Sequence, residues 1–126
     1  MKPYQTRRKA IFCDIDGTIL KHLQTSTNVQ TKPAELLKGT LERFNNWDER
    51  GYAIIIVTGR RESVREKTEQ QLKEFGFFWD YLIMGLGPGS RLLIGDKTPN
   101  GDITNFAINL DRDSGFDQDE FEEIGF

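Results

Sequence analysis

"IFCDIDGT", residues 11–18, is a short apolar run that ends in two aspartates, a glycine and a threonine. Ala10 to Asp14 reads as a buried strand. Asp14 and Asp16 stand one residue apart, so in an extended chain they point to opposite sides. Gly17 frees the backbone to curl and bring both carboxylates to one place. In an open α/β sheet, a strand that stops this way delivers its acids to the carboxyl edge, where such sheets bind ligands.

The surrounding pattern supports such a sheet. Pro33 suits the first turn of a helix, and from Ala34 the residues Leu37, Leu41, Phe44 and Trp47 recur on one helix face until Gly51. "AIIIV", 53–57, is an apolar β-branched strand of the kind covered on both faces. A charged helix follows from about Arg61 to Phe75, with Val64, Thr68, Leu72 and Phe75 inward and Gly76 at its end. "YLIM" (81–84), "RLLIG" (91–95) and "ITNFAINL" (103–110) are further strands, whereas 20–32 is polar and reads as a loop or small hairpin. The alternation predicts a Rossmann-like three-layer α/β sandwich on a mostly parallel five-stranded sheet.

One connection is tight. Parallel neighbours normally need a crossover of a dozen or more residues, yet only Gly85 to Ser90 lie between the third and fourth strands. Six residues reach at most about 20 Å. Either an extended crossover links two parallel strands, or 81–84 is an antiparallel edge.

The chain has 126 residues, 37% of them apolar and 29% charged. That suits one domain over 1–126. The longest apolar stretches are too short for a bilayer or a signal-peptide core. With a single cysteine, Cys13, a cytoplasmic protein without disulfides is expected, and Cys13 reads as a small buried strand residue. The net charge of −3 is polarised: Lys2, Arg7, Arg8 and Lys9 precede the first strand, and seven acids accompany Arg112 alone in 111–126. Such a tail reads as a solvated end. Its acids run in partial EF-hand order, but Phe116 stands where that loop needs glycine.

Strand ends carry the chemistry. The first ends in Asp14 and Asp16, the second in Thr58-Gly59-Arg60, the fourth in Asp96-Lys97. Carboxylates so gathered repel one another unless a hard cation sits among them, and oxygen ligands suit Mg²⁺.

"DIDGT" resembles the first motif of the haloacid dehalogenase (HAD) superfamily, Asp-x-Asp-x-Thr after an apolar strand. Thr58 after "IIIV" is similar to its second motif, and "LLIGD" ending at Asp96 to its fourth. The resemblance spans about residues 9–110 and implies a HAD-type phosphatase. Asp14 is then the nucleophile, forming an aspartyl-phosphate. Asp16 is the general acid and base. Thr18 steadies the turn, and Thr58, Gly59 and Arg60 bind phosphate beside a helix N-terminus. Mg²⁺ binds Asp14, the Asp16 carbonyl and Asp96. The third motif, a Lys or Arg before the fourth strand, has no match in 84–90. Arg91 should lie at the far end of its strand, so Lys97 is the first replacement and Arg60 the second.

Many relatives carry a cap domain, and residues 18–33 and 59–90 leave no room for one. The reading is therefore a small capless Mg²⁺-dependent phosphomonoester hydrolase. A phosphorylated small molecule such as a sugar phosphate is favoured over a nucleic acid, no membrane is involved, and a second copy of the chain is a candidate to close the open site. The alternatives are a polynucleotide 3′-phosphatase and a binding module without turnover. His22, the only histidine, reads as an exposed loop residue, and Lys21, Lys32, Arg60, Arg61 and Arg65 as a solvated face, or else a phosphate or nucleic-acid track at the mouth of the site.

Overall fold

The computed structural model describes residues 8–126. Three strands, β1 (Ala10–Cys13), β2 (Ala53–Val57) and β3 (Tyr81–Ile83), form a parallel sheet in the order β1-β2-β3. Ile11 lies opposite Ile54 and Cys13 opposite Ile56, while Ile56 lies opposite Leu82. The 81–84 segment is thus a parallel strand, not an antiparallel edge.

Alternation sends Ile11, Cys13, Ile54 and Ile56 to one face, where they meet Phe44 and Trp47 of helix α2 (Thr40–Glu49). Phe44 stacks edge-on against Phe77, and Trp47 edge-on against Phe121. Each such buried aromatic contributes up to about 3 kcal/mol. On the other face Phe12 is 55% exposed, so the sheet is not covered on both sides. Helix α3 (Arg65–Phe75) follows a 3₁₀ turn at Glu62–Val64 and buries Thr68, Gln71 and Leu72. Gly76, at φ +96, ends it.

Four expectations need correction. The sheet has three strands among the described residues, not five. The Gly85 N–H donates to the Arg60 carbonyl (2.7 Å) and the Leu86 N–H to the Thr58 carbonyl (3.1 Å). These bonds, with the Gly87 carbonyl oxygen 2.6 Å from where a Gly59 Cβ would stand, pin the link through Gly87 to the carboxyl edge of β2, and only four residue steps remain to Arg91. Four residues reach at most about 14 Å, whereas starting a parallel strand requires a return of about 16 Å to the amino edge. Residues 91–97 therefore leave from the carboxyl edge as an exposed arm. The chain turns between Thr98 and Asp102, and 103–109 runs back with Asn105 against Gly95.

Helix α2 begins at Thr40 after Gly39 (φ +76), not at Pro33. Residues 20–32 contain a short helix, α1 (Ser26–Thr31), capped by the Thr25 hydroxyl. The acidic end is not solvated. Helix α4 (Gln118–Glu123) buries Phe121, and Phe116 is buried before it. The Trp47 indole N–H and an Arg43 guanidinium N–H both donate to the Phe126 carbonyl (2.8 and 3.2 Å). Phe116 and Phe121 pack on Trp47 while most of the acids of this end stay exposed. Among the described residues no helix is long and apolar enough to cross a membrane.

Candidate functional site

After β1 the chain tightens at once. The Ile15 carbonyl accepts from the N–H groups of Thr18 (3.1 Å), Ile19 (2.9 Å) and Leu20 (3.1 Å). Gly17, at φ +83, donates to the Leu20 carbonyl at 2.7 Å. A side chain there is strained by that φ. Thr18 steadies the turn through its backbone N–H. The curl keeps Asp14 and Asp16 together at the carboxyl edge of the sheet, as their spacing predicts.

The two acids sit in different surroundings. Burial pushes the Asp14 carboxyl above the usual carboxylate range. The Ile15 N–H, the Arg91 guanidinium and His22 pull it down, and the charge of Asp16 pushes it up. Asp16 is instead clamped. Arg60 donates to its two oxygens, from Nε at 2.9 Å and Nη2 at 2.8 Å. The Arg60 side chain is only 3% exposed. Its remaining Nη1 donates to the Thr68 hydroxyl (3.0 Å) and the Gln71 carbonyl oxygen (2.8 Å), and Gln71 donates to the Val29 carbonyl at 3.1 Å. Such forked pairing fixes a carboxylate in direction as well as in charge.

Arg60 is therefore committed to Asp16 rather than offered to a phosphate. The Thr58 side chain is also turned inward: the residue is 1% exposed and its hydroxyl accepts from the Arg60 N–H at 3.1 Å. Gly59 lets two loops touch, since a Cβ there would stand 2.6 Å from the Gly87 carbonyl oxygen. That is a packing role.

Asp96 and Lys97 are both exposed on the 91–97 arm, and neither is among the charges acting on Asp14. The arm carries its fifth and later residues away from the edge that its first residue occupies. Arg91, expected at the far end, is the arm residue that acts on Asp14. His22 also acts on Asp14 instead of standing free in a loop, and its Nδ1 is buried without a partner.

The expected Mg²⁺ ligands are the Asp14 carboxylate, the Asp16 backbone carbonyl and Asp96. Among the described residues no three acid, histidine or cysteine side chains gather to hold a metal. Arg60 holds the Asp16 side-chain oxygens, which are not among those ligands, and Asp96 lies on the exposed arm.

Arg91 and His22 were missed for different reasons. The short glycine-rich link 85–90 contains the signal for Arg91, because it is too short to reverse the arm once pinned. Nothing local to His22 distinguishes it from a surface histidine. Gln71 had a signal, a polar residue three positions from Thr68 on the inward face of α3. Cys13 is buried as read, and burial raises its thiol well above the usual range.

The family model described as "PITM 1-3, LNS2 domain" matches residues 11–92, well over half of the chain. LNS2 domains are phosphatase-like and HAD-like. No curated protein matches. Among solved structures, a chain of the Pnkp1/Rnl/Hen1 RNA repair complex is similar at 29% identity and a TM-score of 0.52, over 61% of this chain and 25% of that one. A chain of another structure of the Pnkp1/Rnl/Hen1 complex gives 28% identity and a TM-score of 0.52, over 64% and 28%. The chain thus spans about a quarter of the length of these neighbours.

Proposed function

We propose that this chain, which belongs to the LNS2 domain family, hydrolyses phosphomonoesters at Asp14. The observation that carries the reading is the setting of Asp14: a half-buried carboxylate at the end of β1, acted on by Arg91 and His22. Arg91 supplies positive charge for an incoming dianion, and a desolvated carboxylate is a better nucleophile than a hydrated one.

An Asp14 oxygen attacks phosphorus, the phosphorus–ester oxygen bond breaks, and an aspartyl-phosphate and an alcohol result. Water then cleaves the acyl phosphate. Arg60 holds both Asp16 oxygens. Asp16 serves the leaving oxygen as an acid once one of its oxygens leaves Arg60 and takes a proton from solvent; that proton passes to the leaving oxygen to give the alcohol, and Asp16 takes one back from the water that cleaves the acyl phosphate. Thr68 and Gln71 keep the guanidinium in place while that happens.

The substrate favoured by the open, capless edge is a small phosphorylated metabolite such as a sugar phosphate. The similarity to chains from an RNA repair complex favours a second reading, a 3′-phosphorylated polynucleotide end. Release of phosphate from a panel of phosphorylated metabolites and 3′-phosphorylated oligonucleotides, with and without Mg²⁺, tests both. Asp14→Asn is the control. Turnover that persists in Asp14→Asn overturns the nucleophile, and binding without turnover in the unaltered protein identifies a phosphate-binding module instead.

A further inference from the structure

Residues 111–114 form a tight turn against the loop that follows β1. The Asp113 N–H donates to the Gly17 carbonyl at 2.9 Å, and an Asp113 carboxylate oxygen accepts from the His22 N–H at 2.9 Å. Asp113 itself sits at φ +63, and the Ser114 hydroxyl closes the turn on the Asp111 carbonyl at 2.7 Å. A non-glycine residue at positive φ is costly and persists where surrounding contacts hold it. Two tethers to the Asp14–Asp16 loop are such contacts.

Their effect is to hold Arg112 over Gly17. A Cβ at Gly17 would lie 3.1 Å from the Arg112 Cγ and 3.8 Å from its Nε. Arg112 is exposed and takes no part in the ion pairs among the described residues. The acids around it are otherwise engaged or face solvent: Asp113 turns to His22, Asp16 is clamped by Arg60, and Asp111 is exposed. Arg91 and His22 act on Asp14, but Arg112 does not. Its stem lies over the glycine next to Asp16, which puts its charge at the rim of the site.

We infer that Arg112 is a substrate-binding residue that takes a second anionic group on the substrate, apart from the phosphoryl group at Asp14. This deepens the proposed function and rests on it. A guanidinium fork suits a phosphate oxygen pair, and the tethered turn removes much of the ordering that a free loop would need. The substrate class is a phosphomonoester carrying another phosphate a few bonds away.

The test compares a nucleoside 3′-monophosphate with the nucleoside 3′,5′-bisphosphate, in the unaltered protein and in Arg112→Met. Methionine keeps an unbranched stem over Gly17 and removes the charge. The bisphosphate should show a KM about tenfold lower than the monophosphate, the difference expected of one charged hydrogen-bonded contact at an exposed rim. Arg112→Met should erase that difference by raising the bisphosphate KM to that of the monophosphate. An intact bisphosphate preference in Arg112→Met, or none in the unaltered protein, overturns the inference. Calorimetric binding of pyrophosphate to Asp14→Asn, with and without Arg112→Met, reads the same contact without turnover. About tenfold weaker binding supports it and unchanged binding overturns it, whereas absent hydrolysis of either nucleotide counts against the proposed function alone.

Discussion

Arg60 holds both carboxylate oxygens of Asp16, at 2.9 and 2.8 Å, across 44 residues of sequence. The pair joins the loop after β1 to the loop after β2, and through Thr68 and Gln71 it reaches helix α3. It is a structural fastening at the edge of the site as much as a piece of chemistry.

Removing Arg60 should therefore cost stability before it costs binding. Arg60→Ala leaves Asp16, Thr68 and Gln71 without their partner in a buried setting. A loss of about 3 kcal/mol or more is expected from urea denaturation, the range for breaking a buried pair. Arg60→Lys should recover little, since an ammonium cannot reproduce the fork. A variant within about 0.5 kcal/mol of the unaltered protein would contradict the clamp.

Asp14→Asn should abolish turnover and raise stability at neutral pH. The folded protein holds the Asp14 proton above its ordinary value of 3.8. The folded state thus binds more protons than the unfolded one, and stability falls as pH rises from 3.8 through the folded value, then levels. Asparagine has no such proton. Its gain in Tm should be present at pH 7 and fade as the pH drops below 3.8. A gain that grows in acid has the wrong sign.

Lys97 and Arg91 make opposite predictions. Lys97→Ala should leave kcat/KM within about twofold, because the side chain is exposed on the arm and does not act on Asp14. Arg91→Ala should lower kcat/KM by about 10²-fold, as when one preorganised donor is lost. Steady-state kinetics on the best substrate from the panel separates them, and the reverse ranking would return the arm to a strand with Lys97 at the site.

Gly59→Ala tests the contact between the loops after β2 and β3. Its Cβ would meet the Gly87 carbonyl oxygen at 2.6 Å, backbone that cannot swing aside. A loss of about 1–3 kcal/mol is expected for such overpacking. Gly89→Ala, where nothing lies within 4 Å, should be near neutral. Equal melting temperatures for the two variants would show that the loops do not touch.

The sequence by itself determined what rests on short-range pattern. The run Ala10–Cys13, the run Ala53–Val57 and the inward face Thr68–Leu72 are legible because burial of a strand or helix face imposes a local period. The pairing of Asp14 with Asp16 was legible for the same reason, since one glycine permits the curl. Tertiary structure alone decided the rest. Arg60 looked like a phosphate ligand until Asp16, Thr68 and Gln71 closed around it, and no local rule reveals a partner 44 residues away. Residues 91–95 have the composition of a strand, but the direction of a segment depends on where the preceding link is tied. Two backbone bonds to Thr58 and Arg60 tied it at the carboxyl edge. The acidic end looked solvated because charge is counted residue by residue. Phe116 and Phe121 are buried because they find Trp47, and the free energy of burying them depends on a surface that exists only once α2 has packed on the sheet.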